Sequence, residues 1–254
     1  MTRSVLVTGS ARRIGRTIAL DLARNGWRVA VHHHLSAEDA ERVVADIEAA
    51  GGSGAVVAAD LAREEDTAGL VERAAAAVGP LSALINNASV FERDGAMDAS
   101  RASWDLHMEV NLRAPFVLTQ AFVRQLPEDA GGNVVNILDQ RVWNLTPFFT
   151  SYTLSKAGLW TLTQTLALAL APRVRVNAVG PGPTLPSARQ TEDSFRRQWQ
   201  AMPLARSVQP EEVAAAVRFI LDAPSVTGQM IAVDAGQHLC WSAAPGSVAG
   251  GADE

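Results

Sequence analysis

The chain has 254 residues, of which 48% are hydrophobic and 19% charged, and this composition suits one α/β domain with a sizeable core. Its net charge of −5 at pH 7 argues against nucleic acid as a partner, and no apolar run approaches the roughly 20 residues that a membrane span requires. The N-terminus lacks the apolar core of a signal peptide and Cys240 is the single cysteine, so we expect a cytoplasmic protein.

Short apolar runs alternate along the chain with longer alanine-rich segments of helical periodicity. The runs predicted as strands are residues 4–7, 28–31, 54–58, 81–85, 133–138, 173–178 and 229–233. The segments predicted as helices are residues 14–25, 37–49, 64–78, 155–171 and 211–221. Strict alternation of this kind predicts a doubly wound, mostly parallel sheet of seven strands with helices on both faces.

Three further segments depart from this alternation. Residues 102–125 predict one long helix, in which Pro115 bends the helix or frees a backbone carbonyl near Asn111. Residues 183–203 are rich in Pro, Ser and Arg, and they predict a mobile loop or a pair of short helices over a site. We expect residues 1–241 to form a single domain and the Gly- and Ala-rich residues 242–254 to form a flexible tail.

The first predicted strand runs directly into a glycine-containing turn, residues 8–15 (TGSARRIG). Gly9 and Gly15 let the backbone approach a pyrophosphate, whose charge is attracted by the free N–H groups at the start of the next helix. Arg12 and Arg13 in the same turn indicate an additional phosphate. The alternative is a turn with a purely structural role, since such a turn alone is a weak signal.

A second cofactor signal lies about 20 residues further on, where an NAD site would have a carboxylate for the ribose 2′-hydroxyl. The chain instead reads HHHLS at residues 32–36. Imidazole and hydroxyl donors from His32, His34 and Ser36 can bind a 2′-phosphate, which favours NADPH over NADH. Consecutive strand residues point to opposite faces and cannot converge on one metal ion, so no metal site is expected. A solvated strand end is the alternative, for His33 in particular.

The only tyrosine and the only lysine of the chain, Tyr152 and Lys156, lie four residues apart. In a helix this spacing places both side chains on one face, and a nearby cation lowers the pKa of a phenol. The pair therefore predicts an acid poised for proton transfer near neutral pH. The alternative is an amphipathic helix that carries both residues without a shared function.

These landmarks together resemble the short-chain dehydrogenase/reductase family. They are the TGxxxxxG turn at 8–15, Asp60-Leu61, Asn86-Asn87-Ala88, Asn111, Tyr152-x-x-x-Lys156 and Pro181-Gly182, in the family's order over residues 3 to 238. The resemblance implies a Rossmann fold and assigns the substrate proton to Tyr152. It also implies that Lys156 holds the nicotinamide ribose and lowers the tyrosine pKa, and that Asn111 continues a water-linked proton path.

The expected contacts of an NADPH cofactor follow from the turn, the histidine run and the resemblance. Asp60 and Leu61 are expected at the adenine, Asn87 and Ala88 along the cleft, and residues 181–182 behind the nicotinamide. The full set is Gly9, Arg12, Arg13, Ile14, Gly15, His32, His34, Ser36, Asp60, Leu61, Asn87, Ala88, Ser89, Lys156, Pro181, Gly182 and Thr184.

One departure from the family narrows the expected substrate. Most members have a serine 12 or 13 residues before the tyrosine, whereas this chain has Asp139 there. An ionised carboxylate only accepts hydrogen bonds and would repel the lone pairs of a ketone, so we expect a substrate that presents N–H donors or needs a proton at nitrogen. Together with Arg13, the NNASVF segment at 86–91 and Asn111-x-x-x-Pro115, this resembles the pteridine reductase branch.

By analogy with that branch, Phe91 stacks on a pterin ring opposite the nicotinamide, while Arg13 and Ser89 reach the polar edge of the ring. Asp139 would orient or recharge the proton on Tyr152, and it would raise the tyrosine pKa that the lysine lowers, so the groups titrate as a coupled unit. Each role has a structural alternative. Phe91 would be a core or loop aromatic, Ser89 a satisfied turn hydroxyl, Asp139 the cap of a short turn, and Arg13 a phosphate ligand only.

The predicted activity is the NADPH-dependent reduction of a dihydropterin or dihydrofolate to its tetrahydro form, with Tyr152 as proton donor. The first alternative is an NADPH-dependent carbonyl or 3-oxoacyl reductase, and an alternative of another class is a non-catalytic NADPH-binding sensor. The resemblance also implies a homotetramer formed through the helices at about 102–125 and 152–171. The apolar residues Trp160, Leu162, Leu166 and Leu170 suit either that interface or the core.

Overall fold

Seven parallel strands form the centre of the molecule in the computed structural model, which describes residues 3–187 and 189–240. They are β1 (Ser4–Val7), β2 (Arg28–His33), β3 (Ser53–Ala58), β4 (Ala83–Asn86), β5 (Gly132–Ile137), β6 (Val174–Pro181) and β7 (Met230–Val233). Their order in the sheet is β3-β2-β1-β4-β5-β6-β7. The direction of winding reverses between β1 and β4, and in such sheets ligands bind outside the carboxyl ends of the strands at that point.

Helices cover both faces of this sheet. They are α1 (Arg13–Arg24), α2 (Ala37–Ala49), α3 (Glu64–Ala68), α4 (Leu70–Val78), α5 (Arg101–Met108), α6 (Ala114–Gln125), α7 (Thr150–Leu170), α8 (Glu192–Gln200) and α9 (Pro210–Asp222). Val5 and Val7 of β1 pack in the core on the side of α1 and α9, whereas Leu6 packs in the core on the side of α4 and α6. This alternation along a strand confirms the predicted doubly wound fold class.

Two helix predictions need correction. The predicted helix 64–78 is two helices, because Gly69 is a weak helix former and the guanidinium of Arg73 donates to the Asp66 carbonyl at the end of α3. The predicted helix 155–171 begins earlier, at Thr150, so that Tyr152 lies in its first turn. The hydroxyl-bearing residues at 150–153 have weak helix propensity, so the sequence did not predict that the helix begins there.

The helix predicted at residues 102–125 is interrupted near Asn111, as expected from Pro115. A π-helical turn, Glu109–Arg113, joins α5 to α6, and the N–H of Ala114 donates to the carbonyl of Glu109. Pro115 has no N–H to offer the carbonyl of Asn111. The wider turn places Asn111 in the protein interior, fully buried.

The segment after β6 contains one helix, α8, whose N-cap Thr191 accepts a hydrogen bond from the N–H of Ser194 at 3.2 Å. The sequence predicted either a mobile loop or a pair of short helices here. The predicted tail 242–254 lies outside the described residues. Within those residues, no helix combines the length and apolarity needed to cross a bilayer.

Candidate active site

A cavity of about 660 Å³ opens at the carboxyl ends of the strands, beside the reversal between β1 and β4. The predicted site residues that line it are Gly9, Arg12, Arg13, Ile14, Gly15, His32, His34, Asp60, Leu61, Asn87, Ala88, Ser89, Phe91, Asp139, Tyr152, Lys156, Pro181, Gly182 and Thr184. Ser36 and Asn111 are the predicted site residues outside this lining. One cavity thus brings the glycine turn, the histidine run and the tyrosine–lysine pair together.

The glycine turn packs tightly against the end of β4. Gly9 has a left-handed backbone with φ of 61°, and a Cβ there would lie 2.9 Å from the Cα of Ala88. A Cβ at Gly15 would overlap the amide of Asn87, which donates to the carbonyls of Thr8 and Gly9. The start of α1 has no side-chain cap, so its N–H groups are available to an anionic ligand.

The two arginines of the turn have different partners. Arg12 forms an ion pair with Asp39, in the first turn of α2. Arg13 occupies a left-handed conformation with φ of 54°, where glycine is favoured, and its guanidinium donates to the carbonyls of Leu185 and Pro186 at 3.2 and 3.0 Å. Arg13 thereby links the turn to the loop after β6 on the other side of the cavity.

The histidine run corrects part of the phosphate prediction. His32 accepts from the N–H of Gly9 through Nδ1 and donates through Nε2 to the carbonyl of Ala59, so both ring nitrogens are used within the protein. Burial lowers the pKa of His32 to about 4, against the hydrogen bond to Ala59 that raises it. His32 therefore holds the turn as a neutral ring and is not a phosphate donor.

The next two histidines differ in exposure. His33 is buried and its Nδ1 lies 3.1 Å from the carbonyl of His34, so it is not the solvated residue of the alternative. His34 is exposed at the cavity, with Nε2 3.7 Å from Oδ2 of Asp60. Ser36 precedes α2 and does not reach the cavity. In the described residues, no cluster of three or more His, Cys, Asp or Glu side chains suits a metal ion.

Tyr152, Asp139 and Lys156 form the reactive end of the cavity. The hydroxyl of Tyr152 donates to Oδ2 of Asp139 at 2.9 Å, while Oδ1 accepts the N–H of Arg141 at 2.8 Å. Asp139 thus caps the short turn Gln140–Val142 and contacts the tyrosine at the same time, because each oxygen has its own partner. Lys156 donates from Nζ to the carbonyl of Ile137 at 2.9 Å, and Nζ lies 5.9 Å from the Tyr152 ring centroid.

The electrostatics of this group correct the prediction of an acid poised near neutral pH. Burial and then Asp139 raise the pKa of Tyr152 well above its ordinary value, while Arg141 opposes them. Burial lowers the pKa of Lys156 to about 8, against a raising effect of Asp139. At neutral pH the tyrosine is therefore a protonated phenol, and its lysine neighbour does not overcome the carboxylate.

Phe91 has a partly exposed ring on the substrate side. It stacks on Phe149 with centroids 4.3 Å apart and rings inclined by 12°, and it meets the edge of Tyr152 at 4.7 Å. Ser89 is exposed beside it and its hydroxyl donates to the carbonyl of Val90 at 3.3 Å. Phe91 is thus a loop residue outside the core, and it lines the cavity with one side backed by the buried ring of Phe149.

The structure changes the expected role of Asn111. Its Oδ1 accepts from the N–H of Val90 at 2.8 Å, and its Nδ2 donates to the Val90 carbonyl and to Oγ of Ser155. These bonds occupy both amide donors. The side chain thus positions the segment that carries Phe91, which the sequence did not predict, while the water-linked proton path at Asn111 stays a prediction.

Comparisons with known proteins agree with this geometry. A family model described as enoyl-(acyl carrier protein) reductase matches residues 9–238. A 3-oxoacyl-[acyl-carrier-protein] reductase FabG from Staphylococcus aureus is 33% identical over 244 residues, covering 94% of this chain and 99% of that protein. The chain belongs to the short-chain dehydrogenase/reductase family.

Two solved structures of this family are more similar. FolM alternative dihydrofolate reductase 1 from Brucella canis, complexed with NADP, is 50% identical with a TM-score of 0.92, and the match covers 96% of both chains. The protein of the same name from Brucella suis, also in complex with NADP, is 49% identical with a TM-score of 0.93, covering 97% of this chain and 99% of that one. These matches favour the pteridine reductase-like branch of the short-chain reductases.

Several residues of this short-chain reductase site escaped the sequence analysis. Gln140 and Arg141 follow Asp139 and line the cavity, and within the described chain Oε1 of the first and Nε of the second are buried without a hydrogen-bond partner. Arg141 also lies 5.2 Å from the ring centroid of Phe149. Their position next to Asp139 was the one available signal, whereas Phe149 contributes through a left-handed backbone that the sequence does not predict.

Proposed function

We propose that this chain reduces a dihydropterin or dihydrofolate ring with NADPH. A hydride adds to the carbon of a ring C=N bond, the proton of Tyr152 goes to the adjacent nitrogen, and the tetrahydro ring results. The observation that carries this proposal is the 2.9 Å hydrogen bond from the Tyr152 hydroxyl to Asp139. An ionised carboxylate beside the phenol accepts hydrogen bonds only, and this supports a substrate that presents N–H donors.

Asp139 favours nitrogen chemistry in two ways. A carboxylate at this distance repels the lone pairs of a carbonyl oxygen, whereas the N–H groups of a pteridine ring can donate to it. Burial and then Asp139 also raise the pKa of Tyr152, so the phenol holds its proton at neutral pH and the phenolate left after transfer readily regains one. Tyr152 is therefore present as the protonated phenol that the step needs, although as a weaker acid than a free phenol, and we expect Asp139 to orient it and to help return its proton.

The cofactor proposal rests on the glycine turn and on Lys156. At Gly9 and Gly15 the backbone packs too closely against its neighbours to leave room for a side chain, and the uncapped N–H groups of α1 lie next to it. This arrangement suits a pyrophosphate. Lys156 uses one of its three donors on the Ile137 carbonyl and keeps two for ribose hydroxyls. Arg12 and His34 line the cavity and are the proposed donors to the 2′-phosphate, and the Brucella proteins in complex with NADP support NADPH. When bound, the cofactor supplies the hydride.

Phe91 supports a flat substrate. Its ring lines the cavity and touches the edge of Tyr152, so a pteridine stacked on it would lie within reach of the phenol. Arg13 and Ser89 also line the cavity and are the proposed contacts to the polar edge of the substrate.

A carbonyl reductase is the second candidate, because FabG from Staphylococcus aureus is related over nearly its whole length. The two candidates are separated by steady-state turnover with NADPH on dihydrobiopterin, dihydromonapterin and dihydrofolate, beside a panel of ketones and a 3-oxoacyl thioester. We expect turnover of at least one pteridine and weak turnover of the ketones. Preferential ketone reduction would contradict the proposal, and a strong preference for NADH would contradict the cofactor assignment. A non-catalytic sensor would oxidise NADPH with none of these substrates.

A further inference from the structure

Asp94 is a buried carboxylate that no step of the proposed reaction uses. It lies in the segment between β4 and α5, and its Oδ2 accepts from the hydroxyls of Ser103, at 2.8 Å, and Ser151. Its Oδ1 accepts from the N–H of Ser151 at 3.1 Å. Burial raises the pKa of Asp94, but the hydrogen bonds from Ser151 and Ser103 outweigh burial and keep the pKa below its ordinary value.

These bonds cap helix α7 from outside the helix. The residue before its first turn, Phe149, offers no side-chain cap and has a left-handed backbone with φ of 60° and ψ of 50°. The Asp94 carbonyl accepts the N–H of Phe149 at 2.8 Å, while the Asp94 carboxylate takes the N–H of Ser151. One residue therefore satisfies two N–H groups at the start of α7 and holds Phe149 in a left-handed conformation that residues other than glycine rarely adopt.

The segment between β4 and α5 is also held from its other side, by residues of α5 and of the π-helical turn that follows α5. Asn111 binds both the N–H and the carbonyl of Val90, and Nε2 of His107 accepts the N–H of Glu92 at 3.0 Å. His107 is fully buried, and its Nδ1 lies 2.9 Å from the Ser103 carbonyl and 2.7 Å from Oγ of Ser151. Phe91 thus lies between two anchored residues, Val90 and Glu92, and three residues before Asp94.

The Ser151, His107 and Asp94 side chains include the residue types of a hydrolytic triad, but the geometry excludes that chemistry. Ser151 and His107 are fully buried, and the serine hydroxyl donates directly to the aspartate. A nucleophile needs access to substrate and a base to receive its proton. The cluster is therefore a positioning network between the segment 90–95 and α7.

We propose that Asp94 is a positioning residue that sets the distance between the Phe91 ring and the Tyr152 hydroxyl. It joins the segment that carries Phe91 to the first turn of α7, which carries Tyr152, and it fixes Phe149, on which Phe91 stacks at 4.3 Å. Misplacement by about 1 Å of a group that must meet the substrate can cost on the order of 100-fold in rate. The inference rests on the proposed function, since Phe91 matters in this way only for a flat substrate.

The test compares Asp94→Ala and Asp94→Asn with Val217→Ala, a core truncation in α9 that serves as the stability control. For each variant we would measure the melting temperature, the NADPH dissociation constant, and kcat and KM for a dihydropterin. Asp94→Ala should lower kcat by at least about ten-fold and leave NADPH affinity within about two-fold. Asp94→Asn should recover part of kcat, because an amide oxygen still accepts the N–H of Ser151. A loss of kcat no larger than in Val217→Ala at a similar melting temperature would overturn the inference.

A second readout does not depend on the substrate. Tyr152 is the only tyrosine, so isotope-labelled tyrosine gives the resonances of one ring. They should move in Asp94→Ala and stay in place in Val217→Ala, and unmoved resonances in Asp94→Ala would contradict the inference. If Asp94→Ala does not fold, Ser103→Ala removes one donor to the carboxylate and should produce a smaller change of the same kind. Absent pteridine turnover by the unmodified enzyme would instead reject the proposed function, whatever the resonances show.

Discussion

At Tyr152, burial and the Asp139 carboxylate raise the pKa of the phenol, whereas a nearby cation acts in the opposite direction. The hydroxyl donates to Asp139, Lys156 lies on the same helix face, and burial and Asp139 together raise the tyrosine pKa. Spacing in the sequence predicted which residues meet, because the distance of four residues in a helix fixes that. It did not predict which influence dominates, because burial and the path of residues 137–141 depend on the whole fold.

The carboxylate effect predicts the behaviour of an Asp139→Asn variant. An amide has no charge to oppose the phenolate, so the pKa of Tyr152 should fall. Tyrosinate absorbance, which reports this one residue, should appear at lower pH in Asp139→Asn than in the unmodified enzyme. Pteridine turnover should drop by about ten-fold or more. The exposed Asp129→Asn is the matched control and should leave both quantities unchanged. An unchanged titration in Asp139→Asn would show that the carboxylate does not control the phenol.

Asp139→Ser separates the two candidate reactions at the same position. A ketone reductase should tolerate or gain from a hydroxyl donor there, whereas a pteridine reductase should lose turnover. Steady-state rates of the variant on a dihydropterin and on the ketone panel measure this directly. A variant that retains full dihydropterin turnover would argue that Asp139 is incidental.

At the scale of the secondary-structure elements, most of what the sequence did not predict concerns helix caps and the contacts where elements meet. Periodicity and strand-like composition predicted all seven strands and the main helices, since these signals are local. The start of α7 was wrong by five residues because its cap, Asp94, comes from a distant segment. The assignment of His32 to a phosphate was wrong because its ring bonds to Gly9 and Ala59. Those bonds depend on the packing of β2 beside β1 and β3, which the sequence does not predict.

His32 makes the junction between β2 and the glycine turn sensitive to acid. Its pKa is lowered from 6.5 to about 4 in the folded chain. As the pH falls from 6.5 to about 4, His32 becomes protonated in the unfolded chain but stays neutral in the folded chain, so the free energy of unfolding decreases in that window. The loss is at most about 3 kcal/mol. Urea denaturation at several pH values should show it for the unmodified protein and not for His32→Gln, and equal pH dependence of the two would contradict it.

At the scale of the whole molecule, the strand order places every part of the site at one edge of the sheet. The turn after β1, the ends of β2 and β3, the segments after β4 and β5, and the loop after β6 all line one cavity. Alternation of strands and helices predicted the sheet itself, and ligands bind at the carboxyl ends of the strands in sheets of this kind. The contacts within the cavity were not predictable, because residues such as Arg13 and Leu185 lie far apart in the sequence and meet only in the fold.

The homotetramer remains a prediction of the family resemblance. An apolar groove between the long helices is lined by Met108, Leu112, Phe116, Gly158 and Leu162, among others. If assembly uses it, Phe116→Arg should reduce the mass measured by light scattering, whereas Met97→Arg, at a 98% exposed position outside both long helices and the groove, should not. An unmodified protein that is monomeric at micromolar concentration would contradict the prediction.

The central claim is that Tyr152 gives its proton to a pteridine ring nitrogen, and a single kinetic comparison tests it. NADPH oxidation with a dihydropterin should be about 10²- to 10⁴-fold slower in Tyr152→Phe than in the unmodified enzyme, because the phenyl ring keeps the shape and loses the acid. NADPH affinity should be retained, since the cofactor contacts assigned to Lys156 and the glycine turn are intact. Near-normal turnover of the dihydropterin by Tyr152→Phe would contradict the account.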